Sequence, residues 1–199
     1  MVNVLNAFVG TAPIDGGVLN RAPLGTSMPT AAAEELDPAF VDHGAVGPDG
    51  ISVAPSRSTT KHPMMGGATF VTTQDSYSVE VKIRLMEDDN VNALEAVFGA
   101  ANVEVTEATS DTGVLKKIYY TDEPLPIESF VLDAVSGDKL KRYGIEQGQV
   151  INVTEWQDKH DAPTTRELTI EAYKSTAENY KGAFVLEMRD DGKPVTAGA

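Results

Sequence analysis

The stretch Tyr77-Ser78-Val79-Glu80-Val81-Lys82-Ile83-Arg84-Leu85 decides the fold class. Apolar and polar side chains alternate along it, and a period of two residues predicts a β-strand that buries one face and leaves the other in solvent. Residues 167–172 alternate in the same way. Two such strands predict an antiparallel sheet with one face on a core.

Further strands are predicted on both sides of this stretch, where β-branched and aromatic residues cluster. The turn signals agree, because Ser136-Gly137-Asp138 and Gly47-Pro48-Asp49-Gly50 each predict the tip of a hairpin. The fold class is therefore mainly β, an antiparallel β-sandwich or a partial barrel. The other predicted strands lie at residues 103–106, 114–120, 127–135, 150–156 and 183–188.

One flanking α-helix is predicted over residues 89–98. Asp88 or Asp89 can cap its first turn, and Gly99 can end it. Its apolar residues recur at helical spacing, which predicts that the helix packs on a face of the sheet. The stripe consists of Val91, Leu94, Val97 and Phe98.

The sequence predicts one domain between an N-terminal arm and a C-terminal tail. Residues 1–15 mix Gly, Pro and Asn with isolated apolar residues and predict an N-terminal arm, whereas residues 193–199 predict a flexible C-terminal tail. The domain between them, residues 16–192, contains a long loop over residues 54–67, and loops of this length are functional or disordered. The Met64-Met65 pair within it suits either docking to a partner or a local loop core.

The chain is acidic, with 30 Asp and Glu against 16 Lys and Arg in 199 residues and a formal charge of -14. Proteins that bind nucleic acid gain affinity from cations, so a charge of this sign predicts repulsion of DNA. Solubility alone also explains an acidic surface. No segment approaches the roughly 18 apolar residues of a membrane span, and the absence of cysteine excludes disulfides and thiolate catalysis.

No motif for catalysis, phosphate binding or a dinucleotide cofactor is present. His43, His62 and His160 lie far apart, and none has a second His or Cys at metal-ligand spacing. The expectation is a protein that is not an enzyme and holds no metal or cofactor. A carboxylate-based glycosidase stays open, because the sequence does not place the acidic residues in space.

Short motifs follow one another in a fixed order along the first half of the chain. The first is Val18-Leu19-Asn20-Arg21-Ala22-Pro23-Leu24-Gly25-Thr26-Ser27-Met28-Pro29-Thr30, which reads "apolar-x-R-A-P-x-G-T-x-x-P-T", and Leu36-Asp37-Pro38-Ala39-Phe40 follows it. The motif "G-x-V-x-x-D-G" is met next by Gly44, Val46, Asp49, Gly50 and Ile51. Gly66-Gly67 then precede the strand over residues 77–85 and the helix. In the order and spacing of these motifs the chain resembles the major tail tube proteins of siphophages. The resemblance covers residues 16–106, and the rest matches by its strand pattern.

The resemblance implies a subunit that forms hexameric rings, stacked into a hollow tube related in fold to the type VI secretion tube. Its place is the virion tail, after assembly in the host cytoplasm, and its partners are further copies and the tape measure, tail tip and tail terminator proteins. DNA passes through without specific binding, and no membrane takes part. Many relatives carry a tryptophan beside the Gly-Gly pair, which this chain lacks. The predicted stacking residues of the loop are Ser56, Arg57, Lys61, His62, Met64 and Met65.

An acidic lumen combines this resemblance with the charge of the chain. Glu80, Glu167 and Glu171 are the candidate lumen residues, because they occupy polar faces of predicted strands, although the outer surface is the alternative for each. Unpaired edge strands are an aggregation hazard in a monomer, and a ring removes them by pairing each edge with the next subunit. The alternative function is a monomeric β-sandwich adhesin or capsid-decoration module, which would not self-assemble.

Overall fold

The computed structural model describes residues 4–13 and 17–193, and for Leu5 the backbone alone. The predicted N-terminal arm therefore lies partly outside the described residues, at 1–3 and 14–15, and so does the predicted C-terminal tail, at 194–199. The described residues form ten β-strands and one α-helix. In chain order these are β1 Leu19–Pro23, β2 Val41–Asp42, β3 Val46–Pro63, β4 Thr69–Leu85, α1 Val91–Phe98, β5 Val103–Thr106, β6 Leu115–Ile118, β7 Ile127–Ser136, β8 Lys139–Val153, β9 Arg166–Ala172 and β10 Leu186–Asp190.

Eight of these strands form one antiparallel sheet in the order β2-β1-β7-β8-β9-β4-β3, with β10 also paired to β8. Strand β8 is long enough to pair with β7 on one side and with both β10 and β9 on the other. The end strands β2 and β3 are not paired with each other, so the sheet is open and not a closed barrel. The prediction of a mainly β, antiparallel fold with one flanking helix is confirmed.

The main core lies where the alternating strands β4 and β9 pair. Val81 lies opposite Ile170, and both are fully buried. The same cluster takes in Phe130 and Leu132 from β7 and Ile145 from β8, so residues from both halves of the sheet share one core. The sheet must therefore bend around this core, as a partial barrel does.

A second, smaller apolar cluster lies on the other face of β7. Val131 points away from its neighbour Phe130 and packs with Met28 and Tyr180, as the period of two requires. Arg142 fixes this layer, since its guanidinium donates to the Asp133 carboxylate and to backbone carbonyls of the segment after β1. This half of the sheet thus has both faces covered.

Helix α1 packs on the main core and ends at Gly99 (φ 87°), as predicted. Its cap differs from the prediction of Asp88 or Asp89: the Asn90 side chain accepts from the Asn92 N–H at 3.0 Å. Asp88 is instead bound to the Arg166 side chain at 2.7 Å. The buried helix residues are Ala93, Leu94, Ala96 and Val97, whereas Val91 and Phe98 of the predicted stripe are only half-buried.

The two predicted hairpin tips have different outcomes. Ser136 pairs with Lys139 across a two-residue turn, which confirms the first. The prediction for residues 47–50 is wrong, because they form an irregularity within β3 between the pairs Val46–Leu85 and Ile51–Ile83. An ion pair of 2.7 Å between Asp49 and Arg84 fixes the extra residues to β4, so the chain continues in its original direction.

Candidate functional site

The prediction of a long loop over residues 54–67 is wrong, because this segment is mostly β-strand. Strand β3 stays paired with β4 as far as Pro63, opposite Thr69. The tip is a tight turn in which the Met64 N–H donates to the Ala68 carbonyl at 2.8 Å. Gly66 and Gly67, with φ of 99° and 89°, supply the left-handed backbone that the turn requires. Every residue from 54 to 76 is exposed, and we call this segment the hairpin arm.

Hydrogen bonds within the hairpin arm join its two strands side by side. The Arg57 guanidinium donates to the Gln74 side chain at 2.7 Å and lies over the Tyr77 ring at 4.4 Å. Thr60 donates to the Asp75 carboxylate at 2.7 Å. These bonds hold the two strands together but add neither a third strand nor a second layer. A two-stranded ribbon is at best marginally stable alone in water. The hairpin arm therefore receives no further support from the residues that the structure describes.

All six predicted stacking residues lie in the hairpin arm. Met65 is fully exposed and Met64 about half-exposed at its tip. Phe70, 76% exposed, and Val71 add apolar surface beyond the six predicted residues. The run Thr-Phe-Val-Thr-Thr after Gly-Gly was the available signal, since β-branched and aromatic residues favour strands.

The charge of the hairpin arm is opposite to that of the chain. The hairpin arm contains one acidic residue, Asp75, although the chain has 30 Asp and Glu. Arg57 and Lys61 are the cations of this stretch, and neither forms an ion pair with a residue that the structure describes. The arm is thus a basic, partly apolar projection on an acidic protein.

The three predicted lumen residues share one face of the sheet, opposite the core. Glu80 and Glu171 are direct partners across the β4–β9 ladder. Glu167 lies opposite Arg84 and binds it at 2.9 Å, and Arg84 also binds Asp49. The charge of Glu167 is therefore largely compensated, which leaves Glu80 and Glu171 as the acidic pair of this face.

A buried polar network that no sequence motif indicated surrounds Arg21. Its guanidinium makes two bonds of 2.8 Å to the Glu128 carboxylate on β7 and reaches Glu95 on α1 at 3.3 Å. Its Nε–H donates to His43 at 3.2 Å. His43 is fully buried, and burial together with the Arg21 charge lowers the pKa of its imidazole to about 4. The arginine of the R-A-P motif thus joins the helix to two parts of the sheet.

Two further properties bear on chemistry. Among the described residues, no group of three or more His, Asp or Glu side chains is placed to hold a metal ion. Within the same ranges, no helix is long and apolar enough to cross a bilayer. That the chain is not an enzyme and takes no cofactor stays a prediction.

Comparison with known proteins finds likenesses among solved structures. No protein-family model matches the chain, and no curated protein matches it. A solved structure that aligns with it is a chain of the virion of a native gene transfer agent (GTA) particle. The alignment covers 71% of this chain and 89% of that chain, at 9% identity and a TM-score of 0.40. A TM-score of this size establishes neither a shared fold nor a shared function.

Proposed function

We propose that the chain is the structural subunit of a bacteriophage tail tube, which assembles as stacked hexameric rings around an acidic lumen that conducts DNA. The hairpin arm is the observation that carries this proposal. Its 23 residues are all exposed and have no covering layer within the described chain. A two-stranded ribbon is at best marginally stable alone in water, so a second molecule that packs on it would stabilise it. The ordered motifs from Val18 to the helix support the tube and its ring symmetry.

The open edge of the sheet supports assembly as well. Strand β3 has β4 on one side and no described neighbour on the other, so its outward N–H and C=O groups can pair with a second chain. Pro55 and Pro63 lie in this strand and must turn their nitrogen to the free edge, because proline cannot donate to a ladder. They limit pairing to a short window, which favours a defined contact over unlimited edge-to-edge aggregation.

The acidic pair on the polar face supports the lumen. Like charges directly opposite each other destabilise a sheet, so Glu80 and Glu171 serve the fold poorly. On the inner wall of a ring they repel the phosphate backbone and prevent DNA from binding there. In this proposal the other partners are the tape measure, tail tip and tail terminator proteins of the virion tail, and no reaction is catalysed.

The test removes the hairpin arm without opening the core. Residues 58–76 are replaced by Asn-Gly, which joins the cross-strand partners Arg57 and Tyr77 through a two-residue turn. The full chain is expected to form tubes under negative-stain electron microscopy, whereas the shortened chain stays dispersed and unfolds cooperatively at the same urea concentration.

A matched control shortens another hairpin in the same way. Replacing residues 107–114 by Asn-Gly joins the partners Thr106 and Leu115, and this chain is expected to form tubes. Tubes from the chain without its hairpin arm would contradict the proposal. Dispersed monomers of the full chain at every salt and protein concentration would contradict it too and would favour an adhesin or decoration module.

A further inference from the structure

A groove of about 360 Å³ lies at the base of the hairpin arm, between the N-terminal segment and β3. Its walls are mainly apolar, and they combine the irregular part of β3 with the end of the β7–β8 hairpin. The N-terminal segment forms one wall, held by the paired backbones of Thr11 and Val135. The apolar side chains of the groove come from Phe8, Val18, Val46, Ile51, Ala134 and Tyr143.

An acidic cleft of about 420 Å³ continues this groove and shares Ala12, Val18 and Val46 with it. Asp42 and Glu87 line the cleft. Asp42 accepts from two backbone N–H groups at 2.8 Å, and Glu87 accepts from the Ala45 N–H at 2.8 Å. Neither carboxylate has a cationic partner in the part of the chain that the structure describes. The combined surface is thus mainly apolar at one end, where the Lys141 ammonium lies over the Phe8 ring at 4.1 Å, and negative at the other.

The hairpin arm is complementary to this surface, because it has an apolar tip and a positive charge next to it. Its tip is apolar, with Met64 and Met65, and Lys61 follows three positions back along β3. Three strand residues span about 10 Å. A tip that lies in the apolar groove therefore places the Lys61 ammonium near the carboxylates of Asp42 and Glu87 in the adjoining cleft. Lys61 and the two carboxylates then form the ion pairs that the described chain does not offer them.

The tip cannot fill the groove of its own chain. Ile51 lines the groove and Met64 lies 13 positions further along the same ribbon, which corresponds to about 40 Å of extended strand. The occupant must therefore come from another molecule.

We propose that the groove at the base of the hairpin arm receives the tip of the hairpin arm of a second copy of this chain. Met64 and Met65 fill the apolar part, and Lys61 pairs with Asp42 and Glu87. The inference rests on the proposed function and names the surface through which copies join. Because donor and acceptor are different surfaces, the contact is heterologous and repeats from copy to copy along a filament.

A disulfide between introduced cysteines tests this contact. The chain contains no cysteine, so a cross-link can form only at the positions chosen. Met65→Cys is combined with Ala12→Cys, since Ala12 is exposed and lines both the groove and the cleft. Mild oxidation is expected to give a ladder of covalent oligomers on a non-reducing gel. The matched control combines Met65→Cys with Glu178→Cys, an exposed position outside both, and is expected to cross-link at least tenfold less.

The charge contact has its own test. Lys61→Glu is expected to raise the protein concentration needed for assembly about tenfold, and adding Glu87→Lys is expected to reverse most of that rise. Failure of the double variant to improve on Lys61→Glu, in a chain that unfolds cooperatively, would overturn the ion pair.

The outcomes separate this inference from the proposed function. Tubes that form without a cross-link at position 12, or that cross-link equally through position 178, would overturn the groove as the receptor and leave the tube intact. A full chain that sediments as a monomer at every concentration would overturn both.

Discussion

Glu80 on β4 and Glu171 on β9 lie directly opposite each other in the sheet, and neither forms an ion pair with a described residue. Like charges in this arrangement repel. We expect Glu171→Gln to raise the free energy of unfolding by about 0.5 kcal/mol in urea titrations. Glu167→Gln is the matched control on the same strand, and it is expected to lower stability because it removes the partner of Arg84. Equal effects of the two changes would contradict this assignment.

The same pair predicts how assembled tubes treat DNA. Tubes of the unaltered chain are expected to leave double-stranded DNA in the supernatant on co-sedimentation. With Glu80→Lys and Glu171→Lys together, tubes should still form and should retain DNA at low salt, with release as salt rises. Retention of DNA by unaltered tubes, or none by the lysine variant, would show that this face is not on the lumen.

A structural feature can be predicted from the sequence when it depends on residues that are close together in the chain, and not when it depends on contacts between distant segments. The alternation over residues 77–85 predicts β4, and Gly99 marks the end of the helix, since both signals are local. The hairpin arm could not be recognised in this way, because a ribbon exposed on both faces has no apolar alternation. Pro55 and Pro63 also argue against a strand unless it is known to lie at an edge.

The residues of the candidate site could be predicted from the sequence, but their positions relative to one another could not. The compensation of Glu167 depends on the register that puts it opposite Arg84, and a register is a property of two distant segments. The burial of His43 likewise depends on Arg21 and the strands around it. A lone histidine in the connection between two strands gives no local signal of such an environment.

His43 predicts a loss of stability in acid. Its pKa is about 4 in the folded chain and about 6.5 in an unfolded one. Its contribution is therefore complete above pH 6.5 and falls as the pH drops from 6.5 to 4, by up to about 3 kcal/mol. We expect His43→Gln to flatten the decline in unfolding free energy between pH 7 and pH 5. Parallel pH profiles of the two chains would refute this.

The space around Gly144 is too small for the methyl group of an alanine. A Cβ at this position would overlap the hydroxyl of Tyr180, which is buried and donates to the Pro29 carbonyl at 3.1 Å. We expect Gly144→Ala to lower the unfolding free energy by about 1–3 kcal/mol. Gly113→Ala is the control, since a Cβ there meets nothing within 4 Å. A Gly144→Ala chain as stable as the control would show that Tyr180 moves aside freely.

Strand β4 runs as one strand from the core to Thr69 at the tip of the hairpin arm. A pull on the tip is therefore carried along β4 into its ladder with β9, where seven residue pairs from Val79–Ala172 to Leu85–Arg166 oppose the force together. Bonds loaded in parallel in this way rupture together, whereas a force applied across the sheet opens them one at a time. We expect single-molecule pulling at Met65 to need a larger force than pulling at the turn after β5, which gives the subunit mechanical strength along one direction without any covalent cross-link.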